Sequence, residues 1–379
     1  MRPVLPDFRL ETHFARWEFV AEHHLTASDA ESMSMRDLLE MGTPEQRASF
    51  DDFWLGYTET WGAPDLREAV AATFAGRTAA DILCFAGASE GIFAANHVLL
   101  DADSHAVVVT PNYQSHETLP LSICAATGVP LDPEDGWSLD IDRVAAAIRP
   151  ETRLVTINFP HNPTGAILPL DRYEALIELC RHHGLYLLHD EIFKGLGPTG
   201  TAFLPYVADV YERGLSLGVM SKAYGLPGLR VGWIASQDQA VLSKMERLKH
   251  YLSICNSAPS ERISVIALRQ RQRLLDRNNA IIDENLPKWD AFFARFAGLF
   301  EWQRPDGSCM GFPRYTGPEG VEAFAKRLVE EAGVLLLPST IYASALGPTP
   351  TDRFRLGYGR SGLDEGLAAM TAHLEVLGH

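Results

Sequence analysis

Lysine is rare in this chain, and Lys222 has an unusual position among the six lysines. It follows the apolar run LSLGVM and precedes AYGLPGLRVGW, a loop of glycine and proline that leads into another apolar run. An amine held by rigid backbone at the end of a strand can form a Schiff base with an aldehyde cofactor. A solvated lysine at a strand end is the alternative interpretation, and Lys222 alone does not decide between them.

Two segments could bind an anion such as a phosphate group. The segment FAGASEGIF (85–93) predicts a strand, a tight turn and a helix start, where Ala88 and Ser89 would offer backbone N–H groups and a hydroxyl. Arg230 lies eight residues after Lys222, and a planar guanidinium can bind phosphate through two hydrogen bonds. A plain helix cap formed by Ser89 and Glu90, and an ordinary arginine at a strand edge, are the alternatives.

Polar side chains also follow two other apolar runs. Asn162 lies in NFPHNPTGAI (158–167), a turn restrained by proline and glycine that would aim its amide. Asp190 and Glu191 follow the apolar run in LYLLHDEIF (185–193), where a carboxylate needs a cationic partner or water. A protonated pyridine nitrogen would be such a partner. A simple turn and a carboxylate at a helix start are the alternatives.

The elements that must position these residues follow an α/β pattern. We predict strands at about 82–85, 106–110, 154–159, 185–189, 215–220 and 230–235, and helices at about 89–100, 140–148, 170–183 and 238–252. This alternation predicts βαβ units and a mainly parallel sheet covered by helices. Ligands of such sheets bind beyond the carboxyl ends of the strands, which is where the candidate residues lie.

The pattern changes after residue 265. A long helical stretch at about 258–298, interrupted at Pro287, is followed by short strands and two more helical segments. We therefore predict a large cofactor-binding domain at 46–265. The segments 1–45 and 266–379 are expected to form a smaller α+β domain, with the N-terminal segment joining it or lying across the cleft.

Length, charge and cysteine content exclude several classes of function. The 379 residues include 33 basic and 49 acidic ones, and the net charge of −16 disfavours nucleic acid as a partner. The five cysteines contain no CxxC pair, so neither a disulfide framework nor a metal site is expected. The segment GLGPTG (195–200) matches GxGxxG, but no helix pattern follows it. We expect no membrane span and no signal peptide, and hence a cytoplasmic protein.

Taken together, these segments resemble the fold-type I pyridoxal-phosphate enzymes, in particular the class I/II aminotransferases. The resemblance extends from about residue 55 to the C-terminus. Its seven pieces, in order, are Tyr57 with the LR pair at 66–67, GASE, P-x-Y at 111–113, NPTG, D-E-x-F, S-K-x5-G-x-R and a late F-R-L. The resemblance implies an aminotransferase-like three-layer α/β sandwich, pyridoxal 5′-phosphate as cofactor, and conversion of an L-α-amino acid to its 2-oxo acid.

The resemblance also implies roles for individual residues. Lys222 is similar to the Schiff-base lysine, which also moves a proton between Cα of the substrate and C4′ of the cofactor. Asp190 is similar to the partner of the pyridine nitrogen, and Arg355 to the arginine that binds the substrate α-carboxylate. The other implied contacts are Asn162 at the 3-oxygen and near the substrate, Tyr113 stacked on the ring, Phe193 and Ser221 beside the cofactor, and Ala88, Ser89, Glu90 and Arg230 around the phosphate. Tyr57 is similar to a tyrosine that reaches the phosphate of the neighbouring subunit, which implies a homodimer with the active site at the subunit interface.

Three departures from the family pattern bear on the reaction. Phe193 stands where tyrosine is usual, so a hydrogen bond to the 3-oxygen is lost and the pKa of the Schiff base should rise. Val219 stands where many members have a phosphate-binding serine, and residues 27–34 read ASDAESMS in place of a glycine-bearing substrate loop. Phrases such as NFPHNPTGA also resemble enzymes of this scaffold that cyclise a hydroxyarginine. A pyridoxal-phosphate-dependent cyclase, lyase or oxidase of a biosynthetic pathway is therefore the alternative function.

Overall fold

The structure, a computed structural model, describes residues 5–50 and 52–378. The α-helices in these residues are α1 (Arg9–Trp17), α2 (Met35–Glu40), α3 (Pro44–Ala48), α4 (Pro64–Ala71), α5 (Ala88–Leu99), α6 (Ser115–Ile123), α7 (Ile141–Ala147), α8 (Leu170–His183), α9 (Val207–Val210), α10 (Gln239–Lys249), α11 (Ala258–Arg269), α12 (Arg271–Arg295), α13 (Val321–Ala332) and α14 (Leu363–Val376). The strands are β1 (His23–His24), β2 (Ile82–Phe85), β3 (His105–Thr110), β4 (Ala125–Pro130), β5 (Thr152–Asn158), β6 (Tyr186–Asp190), β7 (Gly214–Val219), β8 (Gly232–Ala235), β9 (Phe300–Glu301), β10 (Met310–Gly311), β11 (Arg314–Tyr315), β12 (Val334–Leu335), β13 (Leu337–Pro338) and β14 (Phe354–Gly357).

Seven strands form the central sheet, in the spatial order β2, β8, β7, β6, β5, β3 and β4. The strands from β3 to β7 pair in parallel, whereas β8 runs antiparallel to both of its neighbours. Leu187 of β6 packs in the core that contains Tyr173 of α8. The next residue, Leu188, packs in the core on the opposite face, with Ile92 of α5. The sheet is therefore buried on both faces by helices, which confirms the predicted three-layer α/β class with a mainly parallel sheet.

The sequence did not predict strand β4 at the edge of this sheet or helix α6 beside it. Strand β4 contains Gly128 and Pro130 and is partly exposed, so it lacks the apolar run that is typical of a buried strand. A side chain at position 128 would meet Leu346, whose Cβ lies 2.7 Å from the position of an added Cβ. Helix α6 contains Pro120, a residue that disfavours helix interiors.

The expected interruption of the long helical stretch at Pro287 is wrong. Pro287 lies inside α12, and the break falls instead at Gln270, between α11 and α12. Gln270 has φ −104° and ψ 17°, which are not helical values. The helix ends at a glutamine, a residue type that does not signal a helix end in the sequence. The proline therefore predicted the break at the wrong position.

Residues from both ends of the chain pack together in a second core. Strand β1 pairs in parallel with β12, and Leu25 packs with residues of α12, α13 and α14. The preceding helix α1 behaves differently, since Leu10 packs in the core of the central sheet. The N-terminal segment thus contributes to both cores. The division into domains at 46–265 and at 1–45 with 266–379 stays a prediction.

Within the described part of the chain, no helix combines the length and the apolar character needed to cross a bilayer. The cytoplasmic location remains a prediction.

Candidate active site

The carboxyl ends of three parallel strands open into a cavity of about 420 Å³. Asn158, Asp190 and Val219 are the last residues of β5, β6 and β7, and all three line it. The predicted site residues that also line this cavity are Ala88, Ser89, Tyr113, Asn162, Phe193, Ser221, Lys222 and Arg230. The fold therefore brings together residues that are far apart in sequence, at the edge where a ligand was expected.

Lys222 lies three residues beyond the end of β7 and lines the cavity. Its Nζ donates a hydrogen bond of 3.0 Å to Oγ of Ser28, a residue of the N-terminal segment. Burial lowers the pKa of Lys222, and the nearby Asp29 carboxylate opposes this effect in part. A lowered pKa increases the neutral fraction of the amine, which is the form that reacts with an aldehyde.

The Asp190 carboxylate is held by a buried histidine that our sequence analysis did not identify. Nε2 of His116, in α6, lies 2.8 Å from Oδ2 of Asp190, and the other ring nitrogen lies 3.2 Å from Oγ1 of Thr156. The backbone carbonyl of Asp190 accepts a hydrogen bond of 2.8 Å from Nδ2 of Asn158. Asp190 is 2% exposed and has no arginine or lysine nitrogen within 4.0 Å among the described residues. It can therefore pair with a cationic group of a ligand in the cavity.

One end of the cavity has the features of an anion site. Ala88 and Ser89 begin α5, so their backbone N–H groups lie at the N-terminus of a twelve-residue helix. Gly87, with φ +95°, lies so close to Arg230 that an added Cβ would be 2.7 Å from Nη2. Arg230 itself has φ 52°, and its guanidinium donates one long hydrogen bond, of 3.4 Å, to the Pro227 carbonyl. This cradle fits a phosphate group.

Two predicted phosphate or cofactor residues lie outside the cavity lining. The Glu90 carboxylate accepts hydrogen bonds from the backbone N–H groups of Ala86 and Ser253, so only its own backbone N–H remains at the helix start. Tyr57 is 84% exposed on the surface of the single chain. Its predicted role concerns a neighbouring subunit.

The side chains around the middle of the cavity are mostly buried. The backbone N–H of Asn162 donates a hydrogen bond of 2.8 Å to Oδ1 of Asn158. Burial raises the pKa of Tyr113 to about 12, and its hydroxyl lies 3.5 Å from Oε1 of Glu11. Phe193 is fully buried and lines the cavity. As a phenylalanine it offers no hydroxyl there.

Arg355 is fully buried beside the cavity and contacts it through Asn162. Its Nε and Nη2 donate to the carbonyl of Thr26, at 3.0 and 2.8 Å. Its Nη1 lies 3.3 Å from Oδ1 of Asn162 and 2.8 Å from the hydroxyl of Tyr342. The arginine predicted to bind a carboxylate is thus adjacent to the asparagine predicted to bind the cofactor.

The N-terminal segment supplies cavity residues that sequence reasoning missed. Leu10, Glu11, Phe14 and Glu18 lie on one face of α1 and its C-terminal cap, and all four line the cavity. Ser28 and Asp29 follow, and both oxygens of Asp29 accept hydrogen bonds from Arg360. The helical spacing of these residues could have predicted α1, but it could not show that α1 lies over the cleft.

Comparisons with known proteins identify the family of this chain. The sequence pattern of the family "Aminotransferase class I and II" matches residues 36–369. The capreomycidine synthase of Streptomyces vinaceus is 31% identical, with 98% of this chain and 94% of that protein aligned. The arginine–pyruvate transaminase of Pseudomonas aeruginosa is 30% identical over 84% of each chain. A PLP-dependent aminotransferase from Streptococcus suis has a similar structure, with a TM-score of 0.91, 26% identity and 98% coverage of both chains.

The chain belongs to the class I and II aminotransferase family, as the sequence motifs predicted. Its cofactor is pyridoxal 5′-phosphate, and the cavity fits that group. The cradle formed by Gly87 and Arg230 suits the phosphate, the Asp190 carboxylate suits a protonated ring nitrogen, and the Lys222 amine suits the aldehyde. The roles of the individual residues stay predictions.

Proposed function

We propose that this protein is an aminotransferase that converts an L-α-amino acid to its 2-oxo acid. The observation that carries the proposal is the placement of the Lys222 amine and the Asp190 carboxylate in one cavity, with an anion cradle at one end. When bound, pyridoxal phosphate supplies an electron sink for the electron pair that remains at Cα after a proton leaves. The protein must therefore bind the amino acid, orient its Cα and move that proton.

Each of these tasks has a residue suited to it. Arg355 binds the substrate α-carboxylate and so fixes the direction of the Cα–H bond. Nζ of Lys222 takes the proton from Cα, and Oγ of Ser28 orients the amine through the 3.0 Å hydrogen bond. Asp190, oriented by His116, holds a proton at the ring nitrogen.

The remaining cofactor contacts follow the predicted set. When pyridoxal phosphate is bound, Asn162 would donate to its 3-oxygen and Tyr113 would contact its ring. The backbone of Ala88, Ser89 and Glu90 and the side chains of Ser89, Ser221 and Arg230 would hold its phosphate.

The charges on the cavity wall favour a substrate whose side chain is positively charged. Glu11 and Glu18 line the cavity, and no lysine, arginine or histidine nitrogen in residues 5–50 and 52–378 lies within 4.0 Å of either carboxylate. A guanidinium or ammonium group would complement both charges. The name of the arginine–pyruvate transaminase, a relative with 30% identity, supports the same class of substrate.

Transfer of labelled nitrogen tests the proposal. The holoenzyme is mixed with pyruvate and one of several amino acids labelled with nitrogen-15 at the α-amino group: arginine, ornithine, norleucine or glutamate. We expect labelled alanine and the matching 2-oxo acid by mass spectrometry, with the basic amino acids giving most product. Absence of label in alanine for every amino acid, when the cofactor is bound, would contradict amino transfer with this acceptor.

The alternative is cyclisation, elimination or oxidation on the same cofactor. The 31% identity to capreomycidine synthase and the hydroxyl-free Phe193 support it. In cyclisation the labelled α-amino nitrogen stays with the dehydrated product, and in elimination or oxidation it either stays with the product or is released as ammonia when an imine hydrolyses. In none of these reactions does the label move to alanine. The same mass spectra therefore distinguish the two reactions.

We further propose that the active form is a homodimer. Large apolar side chains are exposed on two neighbouring segments, 54–57 and 251–254. Lys249, just before the second segment, donates a hydrogen bond of 2.7 Å to the carbonyl of Thr60, just after the first. These side chains are Trp54, Leu55, Tyr57, Tyr251, Leu252 and Ile254. A second copy of the chain would cover this surface and bring Tyr57 to the phosphate end of the partner's cavity. Light scattering after size-exclusion chromatography should give twice the chain mass, and a monomer that retains full activity would contradict the proposal.

A further inference from the structure

The Asn162 amide has two hydrogen-bond donors on its oxygen, and they come from the far end of the chain. The Tyr342 hydroxyl donates to Oδ1 of Asn162 at 3.0 Å, and Nη1 of Arg355 lies 3.3 Å from the same oxygen. Nη1 of Arg355 also donates to the Tyr342 hydroxyl at 2.8 Å. These three side chains, which we call the Tyr342 triad, are all buried.

The chemistry of the Tyr342 triad fixes the direction of each hydrogen bond. A guanidinium group can only donate, so the Tyr342 oxygen accepts from Arg355 and its own proton goes to Asn162. Burial raises the pKa of Tyr342, which keeps that proton on the hydroxyl. Because Oδ1 receives two donors, the Asn162 amide cannot rotate without losing both, and its NH₂ group is directed away from them. No described residue accepts a hydrogen bond from that NH₂ group.

The Tyr342 hydroxyl is not needed for packing. The ring lies in the core of the central sheet and packs edge-on against Phe312, with the centroids 5.9 Å apart. A phenylalanine ring would make the same contacts. The hydroxyl adds only the connection between Asn162 and Arg355.

We propose that Tyr342 is a positioning residue that couples cofactor binding to substrate binding. It holds the NH₂ group of Asn162 toward the 3-oxygen of pyridoxal phosphate and fixes the Arg355 guanidinium, whose Nη2 donates one N–H to Thr26 and keeps the other for the substrate carboxylate. This orientation matters more in this chain because Phe193 supplies no second donor to the 3-oxygen. The inference about the carboxylate rests on the proposed function, whereas the inference about the cofactor needs only that pyridoxal phosphate is bound.

The test is the variant Tyr342→Phe, with the absorbance of the bound cofactor titrated against pH. A donor to the 3-oxygen withdraws the negative charge that helps to retain a proton on the cofactor. A misdirected Asn162 should therefore move the titration midpoint upward, by about 0.5 to 1 on the pH scale, the effect of one hydrogen bond. The KM for the amino acid should rise about fivefold, with a smaller change in kcat.

A double-variant cycle separates positioning from a general structural effect. In an Asn162→Ala background, Tyr342→Phe should leave the titration midpoint where Asn162→Ala alone puts it. Tyr358→Phe is the control, because its buried hydroxyl donates to the Met310 carbonyl at 3.0 Å and lies outside the triad. We expect it to leave the midpoint unchanged.

Two outcomes would overturn the inference. An unchanged midpoint in Tyr342→Phe would contradict positioning, and so would equal shifts with and without Asn162. A shifted midpoint in a protein that transfers no amino group would refute the proposed function but not the role of Tyr342 toward the cofactor.

Discussion

The carboxylate of Asp190 and the imidazole of His116 form a buried pair, with 2.8 Å between Oδ2 and Nε2. Both side chains are at most 3% exposed. Because a carboxylate can only accept, Nε2 of His116 donates to Asp190, and the other ring nitrogen lies 3.2 Å from Oγ1 of Thr156. His116 therefore fixes the direction of the Asp190 carboxylate without lining the cavity.

We predict that His116→Asn lowers kcat about 10- to 100-fold, the effect of losing one hydrogen bond to a charged group. Cofactor binding should be largely retained, because the anion cradle at Arg230 is unchanged. Steady-state kinetics and cofactor absorbance give the two measurements. His105→Asn is a matched control, since this buried histidine of β3 bonds to Thr127 and Thr152 and does not line the cavity. Equal kcat values for His116→Asn and the unmodified enzyme would contradict the role of the pair.

The sequence predicted the polar residues at strand ends better than it predicted the residues that hydrogen-bond to them. Asp190, Asn162 and Lys222 follow apolar runs, and a parallel sheet gathers such positions at one edge. His116 gave no comparable signal, because α6 contains a proline and the histidine contacts Asp190 across 74 residues of sequence. Ser28 was also missed, since its contact with Lys222 depends on packing between distant parts of the chain.

Lys222 should be the site of covalent cofactor attachment. After reduction of the holoenzyme with borohydride, the intact mass should increase by one reduced cofactor, and peptide mapping should place the adduct on Lys222. The variant Lys222→Ala should lose the adduct and its visible absorbance. Lys244→Ala, at an exposed position of α10, should retain both. An adduct on another lysine would refute the assignment.

The lowered pKa of Lys222 leads to a separate prediction about pH. Only the neutral amine attacks the aldehyde, and burial favours the neutral form. The rate of covalent attachment to the apoprotein should therefore rise with pH and level off below the ordinary lysine pKa of about 10.4. Stopped-flow absorbance at a series of pH values gives this profile. A midpoint at or above the ordinary value would show that Asp29 outweighs burial.

Glu11 should select substrates with a positively charged side chain. The variant Glu11→Gln removes one charge from the cavity wall at nearly constant volume. Because Glu11 is exposed, we expect a modest two- to fivefold loss in kcat/KM for arginine and no change for norleucine. Glu22→Gln, on the same N-terminal segment but outside the cavity lining, should change neither. Equal losses for arginine and norleucine would indicate a structural effect instead of charge recognition.

Phe193 should set the proton affinity of the bound cofactor. Its ring is fully buried and lines the cavity, so the hydroxyl added by Phe193→Tyr would reach the cavity with little change in packing. A new donor to the 3-oxygen should move the spectral titration midpoint of the holoenzyme to lower pH. Phe193→Leu, which also changes the ring but adds no donor, should not move it downward. A downward shift in both variants would mean that ring packing, and not hydrogen bonding, controls the titration. It would then contradict the argument that the missing hydroxyl of Phe193 makes the orientation of Asn162 more important.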